Sequence, residues 1–233
     1  MDPFDQQLVD LADLRDPVRR ALYRYVSQQG AAVGRDEAAR AVGIVRPLAA
    51  YHLDKLVEDG LLDAHFQRRS GRSGPGAGRP AKLYRRSGRQ IELSLPARDY
   101  AALAELLARA VQADPTGAAP AALEREAGRL GARLGAEIGG RAGPGAGRRE
   151  LLAALGEVLA ERGYEPYRDA GGALRLRNCP FDRVAAAHRE LVCGANLALL
   201  RGLVERLGAA APVQARLDPR PGECCVALRA TGR

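Results

Sequence analysis

Tryptophan is absent from this 233-residue chain, methionine occurs once, and phenylalanine and histidine occur three times each. So few histidines, with no Gly-x-Ser-x-Gly elbow and no phosphate-cradling glycine loop after a strand, argue against hydrolytic and phosphoryl-transfer chemistry; the chain is not expected to be an enzyme. No uninterrupted apolar run reaches the roughly 18 residues that a membrane-spanning helix needs, and the opening MDPFDQQLVDLADLRD lacks a signal-peptide core. A soluble chain in the cytoplasm, with no membrane partner, is the expectation. Cysteine is scarce, at four residues without a Cys-x-x-Cys pair, which removes the commonest zinc knuckle. In a reducing compartment those thiols are not expected to form structural disulfides.

Acidic residues are missing from one stretch in particular. Ala64 to Ile91 holds Arg68, Arg69, Arg72, Arg79, Lys82, Arg85, Arg86 and Arg89 and no Asp or Glu, against a formal net charge of +8 for the whole chain. The positive excess is therefore local, and with a pI near 9.8 it points to a polyanion, most plausibly nucleic acid. Glycine is abundant at 27 residues, and together with Ala and Arg it reads as compositional bias rather than as a functional signal.

The order of elements gives that basic stretch a context. Asp16 before Pro17 caps a helix whose apolar positions Val18, Leu22, Tyr25 and Val26 recur at helical spacing and which ends near Gly30. A short helix from Arg35 to Val42, a turn at Gly43 and a third helix running from Pro47 to Glu58 follow. In that third helix Leu48, His52, Leu53, Leu56 and Val57 are expected to pack, leaving Arg46, Tyr51 and Lys55 to read a ligand. Leu61 to Phe66 and Lys82 to Arg86 read as two strands joined by a Gly/Arg loop that is too polar to pack. Such a helix fits the major groove of duplex DNA, where Arg46 suits guanine, Lys55 a base edge or phosphate, and Tyr51 the backbone or a thymine methyl. His52 divides evenly between packing and contact. Arg68, Arg69, Arg72, Arg79 and Lys82 suit phosphates or the minor groove, where affinity falls steeply with salt.

The segments DPVRRALYRYV, AARAVGIVRPLAAYHLDKLVEDGLL and GRPAKLYRRS resemble the winged-helix bacterial transcription regulators, specifically the broad ArsR-like and DeoR-like group, over about residues 14 to 90. That resemblance implies that Arg46 to Glu58 is a recognition helix, that GRPAKLY leads out of the wing, and that the protein binds a specific operator on double-stranded DNA as a homodimer, on the nucleoid.

Beyond residue 95 the pattern changes. Helices expected from Pro96 to Val111 and from Pro120 to Ile138 could pair two subunits, GGRAGPGAGRR (Gly139 to Arg149) reads as a linker, and the remainder reads as helices with short hairpins. The expected class is α+β: a DNA-binding domain over 1–95, a helical dimerisation segment over 96–140 and a cysteine-containing sensor domain over 150–233.

Cys179 and Cys193 stand fourteen positions apart, and Cys224 follows thirty-one later with Cys225 beside it. Thiolate is the donor that iron–sulfur clusters require, and three separate elements could bring these sulfurs together; they could equally be small buried hydrophobes. In a regular strand, alternation would send Cys224 and Cys225 to opposite faces. NCPF, then HRELVC, then a cysteine after DPRPG, downstream of a winged helix, is similar to the iron–sulfur repressors of cluster-assembly operons. That resemblance implies a cluster held by Cys179, Cys193 and Cys224 with one further ligand, and repression as the default. Cys225 and His188 are the further candidates, although a lone histidine at a helix end is more often a surface or capping residue. The alternatives are a zinc, thiol-redox or small-molecule switch on the same DNA-binding scaffold.

Overall fold

A computed structural model describes residues 11–67, 80–91, 98–208 and 213–230. The chain divides into two compact units, Met1–Arg98 and Asp99–Arg233, and the whole is 58% helical and 15% strand, an α+β protein.

In the first unit, α1 (Pro17–Gln28) begins where Asp16 Oδ1 accepts the amides of Val18 at 2.8 Å and Arg19 at 2.9 Å. Those two bonds satisfy amides that the helix start leaves without partners. After β1 (Val33–Gly34), α2 (Arg35–Val42) closes on Gly43 at φ 74°, a left-handed turn for which glycine carries no steric cost, and α3 (Arg46–Glu58) leaves at a new angle. Antiparallel strands β2 (Leu62–Gln67) and β3 (Ala81–Arg86) pair Leu62 with Arg86 and Gln67 with Ala81, and β1 lies on the other edge of β3. Leu22, Val26, Ala38, Leu53, Leu56, Leu62 and Tyr84 form the core. The face of α3 differs from the sequence expectation: Ala49, His52, Leu53 and Leu56 are buried and Leu48 is exposed. The small Ala49 lets α3 sit close, so the packed stripe starts one residue later at i, i+3, i+4 and i+7.

The second unit runs α4 (Tyr100–Gln112), α5 (Ala118–Ala142), α6 (Arg148–Glu161), β4 (Pro166–Arg168), β5 (Leu174–Leu176), α7 (Asp182–Ala187), α8 (Arg189–Leu207), β6 (Val213–Leu217) and β7 (Val226–Ala230). Its antiparallel sheet has the order β4-β5-β7-β6. The two long helices α5 and α8 meet through glycine. A Cβ on Gly131 would stand 2.9 Å from Leu203 N, one on Gly135 2.6 Å from Leu203 O, and one on Gly202 3.1 Å from Gly128 Cα. The register rises together along both helices, so they run parallel, with backbone against backbone. Glycine here answers a packing demand, beyond any bias of composition. The stretch from Gly139 to Arg149, expected as a linker, is the end of α5, a tight turn and the start of α6, all inside this unit. Leu155, Leu159, Leu176, Leu200, Leu203 and Val226 centre the core, and Cys224 and Cys225 belong to it.

Candidate functional site

On the first unit the α3 face is defined by what is left over from packing. Leu48, Tyr51 and Lys55 follow one another at i, i+3 and i+7; Tyr51 is 61% exposed, and Val45 and Phe66 are exposed as well. Arg46, at the helix start, pairs across the turn with Asp36, Nε to Oδ1 2.8 Å. Lys55 Nζ lies 3.1 Å from Asp59 Oδ1 and 3.5 Å from Glu58 Oε2. His52 is buried: its Nδ1 accepts from Arg19 Nε at 3.5 Å and its ring meets Tyr51 edge-on at 5.1 Å. Arg68, Arg69, Arg72 and Arg79 lie outside the described residues.

Lys82 is occupied inside the unit. Its Nζ reaches Asp54 Oδ1 at 2.8 Å, where Tyr84 OH also donates at 2.6 Å, while Arg35 Nη2 holds Asp54 Oδ2 at 2.6 Å. Burial raises the Asp54 carboxyl, but the bonds from Lys82, Tyr84 and Arg35 together outweigh it and hold the group below the usual carboxylate range. Burial pushes the Tyr84 hydroxyl well up, and its bond to Asp54 adds to that shift. One carboxylate thereby ties α3 to β3 and α2 and fixes the angle at which the α3 face leaves the sheet. Nothing in the local pattern marked Asp54, because its partners lie 19 to 30 positions away.

The second unit brings all four cysteines together, each as a free thiol. Cys179 sits in the turn after β5, Cys193 in α8, and Cys224 and Cys225 immediately before β7. The sulfurs run in hydrogen-bonded order Cys179, Cys224, Cys225, Cys193. Thiols donated by Cys179 and Cys225 hold Cys224 far down, to about 3. The same bond pushes Cys179 up, and burial adds to it; Cys225 is raised in the same way. The vicinal pair precedes the strand, so strand alternation does not apply to it and both sulfurs join the group.

The fold supplies donors to these sulfurs. Backbone amides of Phe181 and Val226 point at Cys179 and Cys224. Asn196, one turn beyond Cys193 on α8, donates from Nδ2 to Cys224 Sγ at 3.2 Å, and Tyr164 OH donates to Asn196 Oδ1 at 2.7 Å. The turn that delivers Cys224 is clamped by Arg175, 1% exposed, whose guanidinium binds Glu223 Oε2 at 2.6 Å, Asp218 Oδ2 at 2.8 Å and Asp218 O at 2.7 Å. Tyr167 OH donates to the other Glu223 oxygen, Oε1, and Arg229 shares Asp218 Oδ2 with Arg175. Arg175 escaped the sequence reading because a charged residue between Leu174 and Leu176 reads as the solvent face of a strand.

His188 is not part of the thiol group. It precedes α8 and turns to α4, with Nδ1 2.5 Å from Gln112 Oε1 and Nε2 3.0 Å from Glu105 Oε1. Among the described residues no group of three or more His, Cys, Asp or Glu is arranged to hold a single metal ion. Four soft donors, with amide N–H groups aimed at them and an apolar surround, are a donor set of the kind that an iron–sulfur group takes, and a tetrahedral zinc ion takes the same thiolates. None of the described helices is long and apolar enough to cross a membrane. Comparison with protein families, with characterised proteins and with solved structures returned no match.

Proposed function

We propose that this chain is a homodimeric, winged-helix, sequence-specific DNA-binding regulator, with repression as its default action, whose second unit holds an iron–sulfur cluster that tunes operator affinity. One observation carries the sensor half of the reading: four cysteines from three separate segments, two buried and two half-buried, meet in one place, with fold-supplied N–H donors on Cys179 and Cys224. Isolated buried cysteines acting as small hydrophobes have no reason to converge. The DNA-binding half is supported by the α3 stripe of Leu48, Tyr51 and Lys55 beside Arg46, and by a following segment with eight basic residues and no acidic one. Dimerisation is supported by α4, which leaves Tyr100, Leu103, Leu106 and Leu107 exposed. Large apolar side chains clustered in this way mark a surface meant to be covered, and a second copy of α4 is the occupant of matching chemistry.

In this reading Cys179, Cys193, Cys224 and Cys225 hold the cluster, which supplies reversible one-electron and oxygen chemistry when bound. The chain positions the ligands: Arg175 fixes the turn that presents Cys224 and Cys225, and α8 presents Cys193. In the first unit the Asp54 network fixes the pose of α3. A change at the thiols alters operator affinity only through a difference in the free energy of the two dimer conformations.

Anaerobic purification with iron and sulfide assay tests the sensor. Brown protein with visible absorbance that is lost in Cys193→Ser is expected; colourless protein, or one equivalent of zinc in place of iron, refutes the cluster. Gel-shift titration on duplex DNA at several salt concentrations tests the other half. Binding that does not weaken with salt refutes DNA recognition by this basic segment.

A further inference from the structure

Asn196 is 2% exposed, Tyr164 2% and Cys224 1%, so the hydrogen-bond chain that links them is shielded from bulk solvent. Placing an amide and a phenol in a hydrocarbon core is costly unless each finds a partner, and an apolar residue of equal size would avoid the cost. The partners here are specific. Tyr164 OH donates to Asn196 Oδ1 at 2.7 Å, which turns the carboxamide so that its NH2 faces Cys224 Sγ at 3.2 Å. The reversed amide would set oxygen against sulfur. A neutral thiol could satisfy that oxygen with its S–H, but a metal-bound thiolate has no proton to give and can only accept. The orientation that Tyr164 enforces therefore suits a sulfur that stays negatively charged.

Resting on the cluster reading above, we infer that Asn196, held in place by Tyr164, sets the reduction potential of the cluster through Cys224. A hydrogen bond to a ligating sulfur withdraws charge from it and stabilises whichever oxidation state carries more negative charge, which is the reduced one. Backbone donors from Phe181 and Val226 are fixed by the fold, whereas Asn196 adds a side-chain donor that the chain can vary. Asn196 shares α8 with Cys193, three positions away, so any movement of α8 that shifts one ligand also changes the hydrogen bond on another. Asn196 is a positioning residue. It takes no electron itself and acts on the sulfur that does.

The test is a redox titration of the cluster, followed by visible absorbance under anaerobic conditions, on the full chain and on Asn196→Ala, Asn196→Asp and Tyr164→Phe, each with iron and sulfide counted per protomer. Loss of one hydrogen bond is expected to lower the reduced-to-oxidised ratio of Asn196→Ala about fivefold at fixed potential, a negative shift of about 40 mV at 59 mV per tenfold for one electron. Asn196→Asp, whose buried carboxyl beside a negatively charged sulfur is held neutral and can donate in its turn, is expected to shift less than Asn196→Ala, as is Tyr164→Phe. A full complement of iron and sulfide with an unchanged potential in Asn196→Ala and Asn196→Asp overturns this inference and leaves the cluster reading standing. Wild-type protein without iron and sulfide overturns both. Should Asn196→Ala lose its cluster during purification, Tyr164→Phe decides: a negative shift supports the role, and none refutes it.

Discussion

Substituting Gly131 by Ala subjects the α5/α8 seam to the smallest available perturbation. A methyl group at that position would overlap the Leu199 carbonyl, with the carbonyl carbon 2.8 Å and Leu203 N 2.9 Å away. Clearing the carbon alone to an ordinary 3.4 Å requires 0.6 Å (3.4 − 2.8), and the oxygen, closer still, requires more. All these atoms are backbone, so no side chain can rotate away and α8 must move as a body. Overpacking of a core costs about 1–3 kcal/mol, and a rigid backbone obstacle places this case near 3; better helix propensity returns about 1, leaving a net loss of about 2. For a unit of this size that corresponds to a fall in Tm of about 8 °C. The control is Gly139→Ala on the same helix, where nothing lies within 4 Å and the propensity gain of up to about 1 kcal/mol stands alone. Far-ultraviolet circular dichroism during heating reads both variants. The displaced α8 also carries Cys193, so iron retention should fall in Gly131→Ala and hold in Gly139→Ala. Equal or higher stability of Gly131→Ala would refute the close parallel packing of these helices.

Arg175→Met removes a buried cation shared by two carboxylates. Asp218 keeps Arg229 and Glu223 keeps Tyr167, so the loss is expected below the usual 3–5 kcal/mol for breaking a buried pair, at about 2–3, with cluster retention falling as the Cys224 turn loosens; calorimetry and iron assay check it. Asp54 has a folded pKa below its ordinary 3.8, so its contribution to stability is complete above that value and is lost as the pH falls through it and then through the lowered folded value. Asp54→Asn should therefore destabilise the first unit at neutral pH, by about 1 kcal/mol once its 36% side-chain exposure is allowed for, and the difference from wild type should shrink as the pH falls through 3.8 and vanish below the lowered folded value. Urea titrations at several pH values read this, and a gap that persists in acid refutes it. Leu103→Glu with Leu107→Glu should convert dimer to monomer in light scattering, with the fold retained by circular dichroism; a dimer that survives removes α4 from the interface.

Much of the first unit was legible because its signals are local. Asp16 before Pro17 places the start of α1, and Gly43 separates α2 from α3 at the position a left-handed turn demands. The hairpin followed from apolar alternation on either side of the Gly/Arg loop. What escaped was set by partners distant in sequence. The two-residue β1 is too short for any periodicity, and the packing of α3 turned on how closely Ala49 can approach the core, which depends on the facing surface. Lys82 belongs by composition to the basic run, yet it is engaged by a carboxylate 28 positions earlier. In the second unit the mixture of helices and short hairpins was readable from apolar periodicity. The glycines of α5 were not, because a packing glycine and a biased composition look alike until the opposing backbone is known. The cysteines raised the expectation of a soft-ligand site without showing that all four would meet, since spacings of fourteen and thirty-one residues do not fix a shared point. Asn196 and Arg175 carried no signal, being an amide in an apolar helix and a charge between two leucines.

On the cluster reading proposed above, loss of the cluster need not unfold this unit. The sulfurs satisfy one another in the order Cys179, Cys224, Cys225, Cys193, with amide donors on Cys179 and Cys224, so none of the four is left stranded. The Arg175 clamp and the α5/α8 seam do not involve the ligand at all. Removing the ligand therefore relaxes a local arrangement within a preserved core, which is the condition for a reversible switch in place of a single-use one. The shortest physical route outward runs along α8. Cys193 lies five residues from His188, which holds Gln112 and Glu105 on α4, and α4 carries the exposed apolar side chains assigned to the second copy. The His188 contacts with Gln112 and Glu105 are thus the joint at which a movement of α8 would pass to α4.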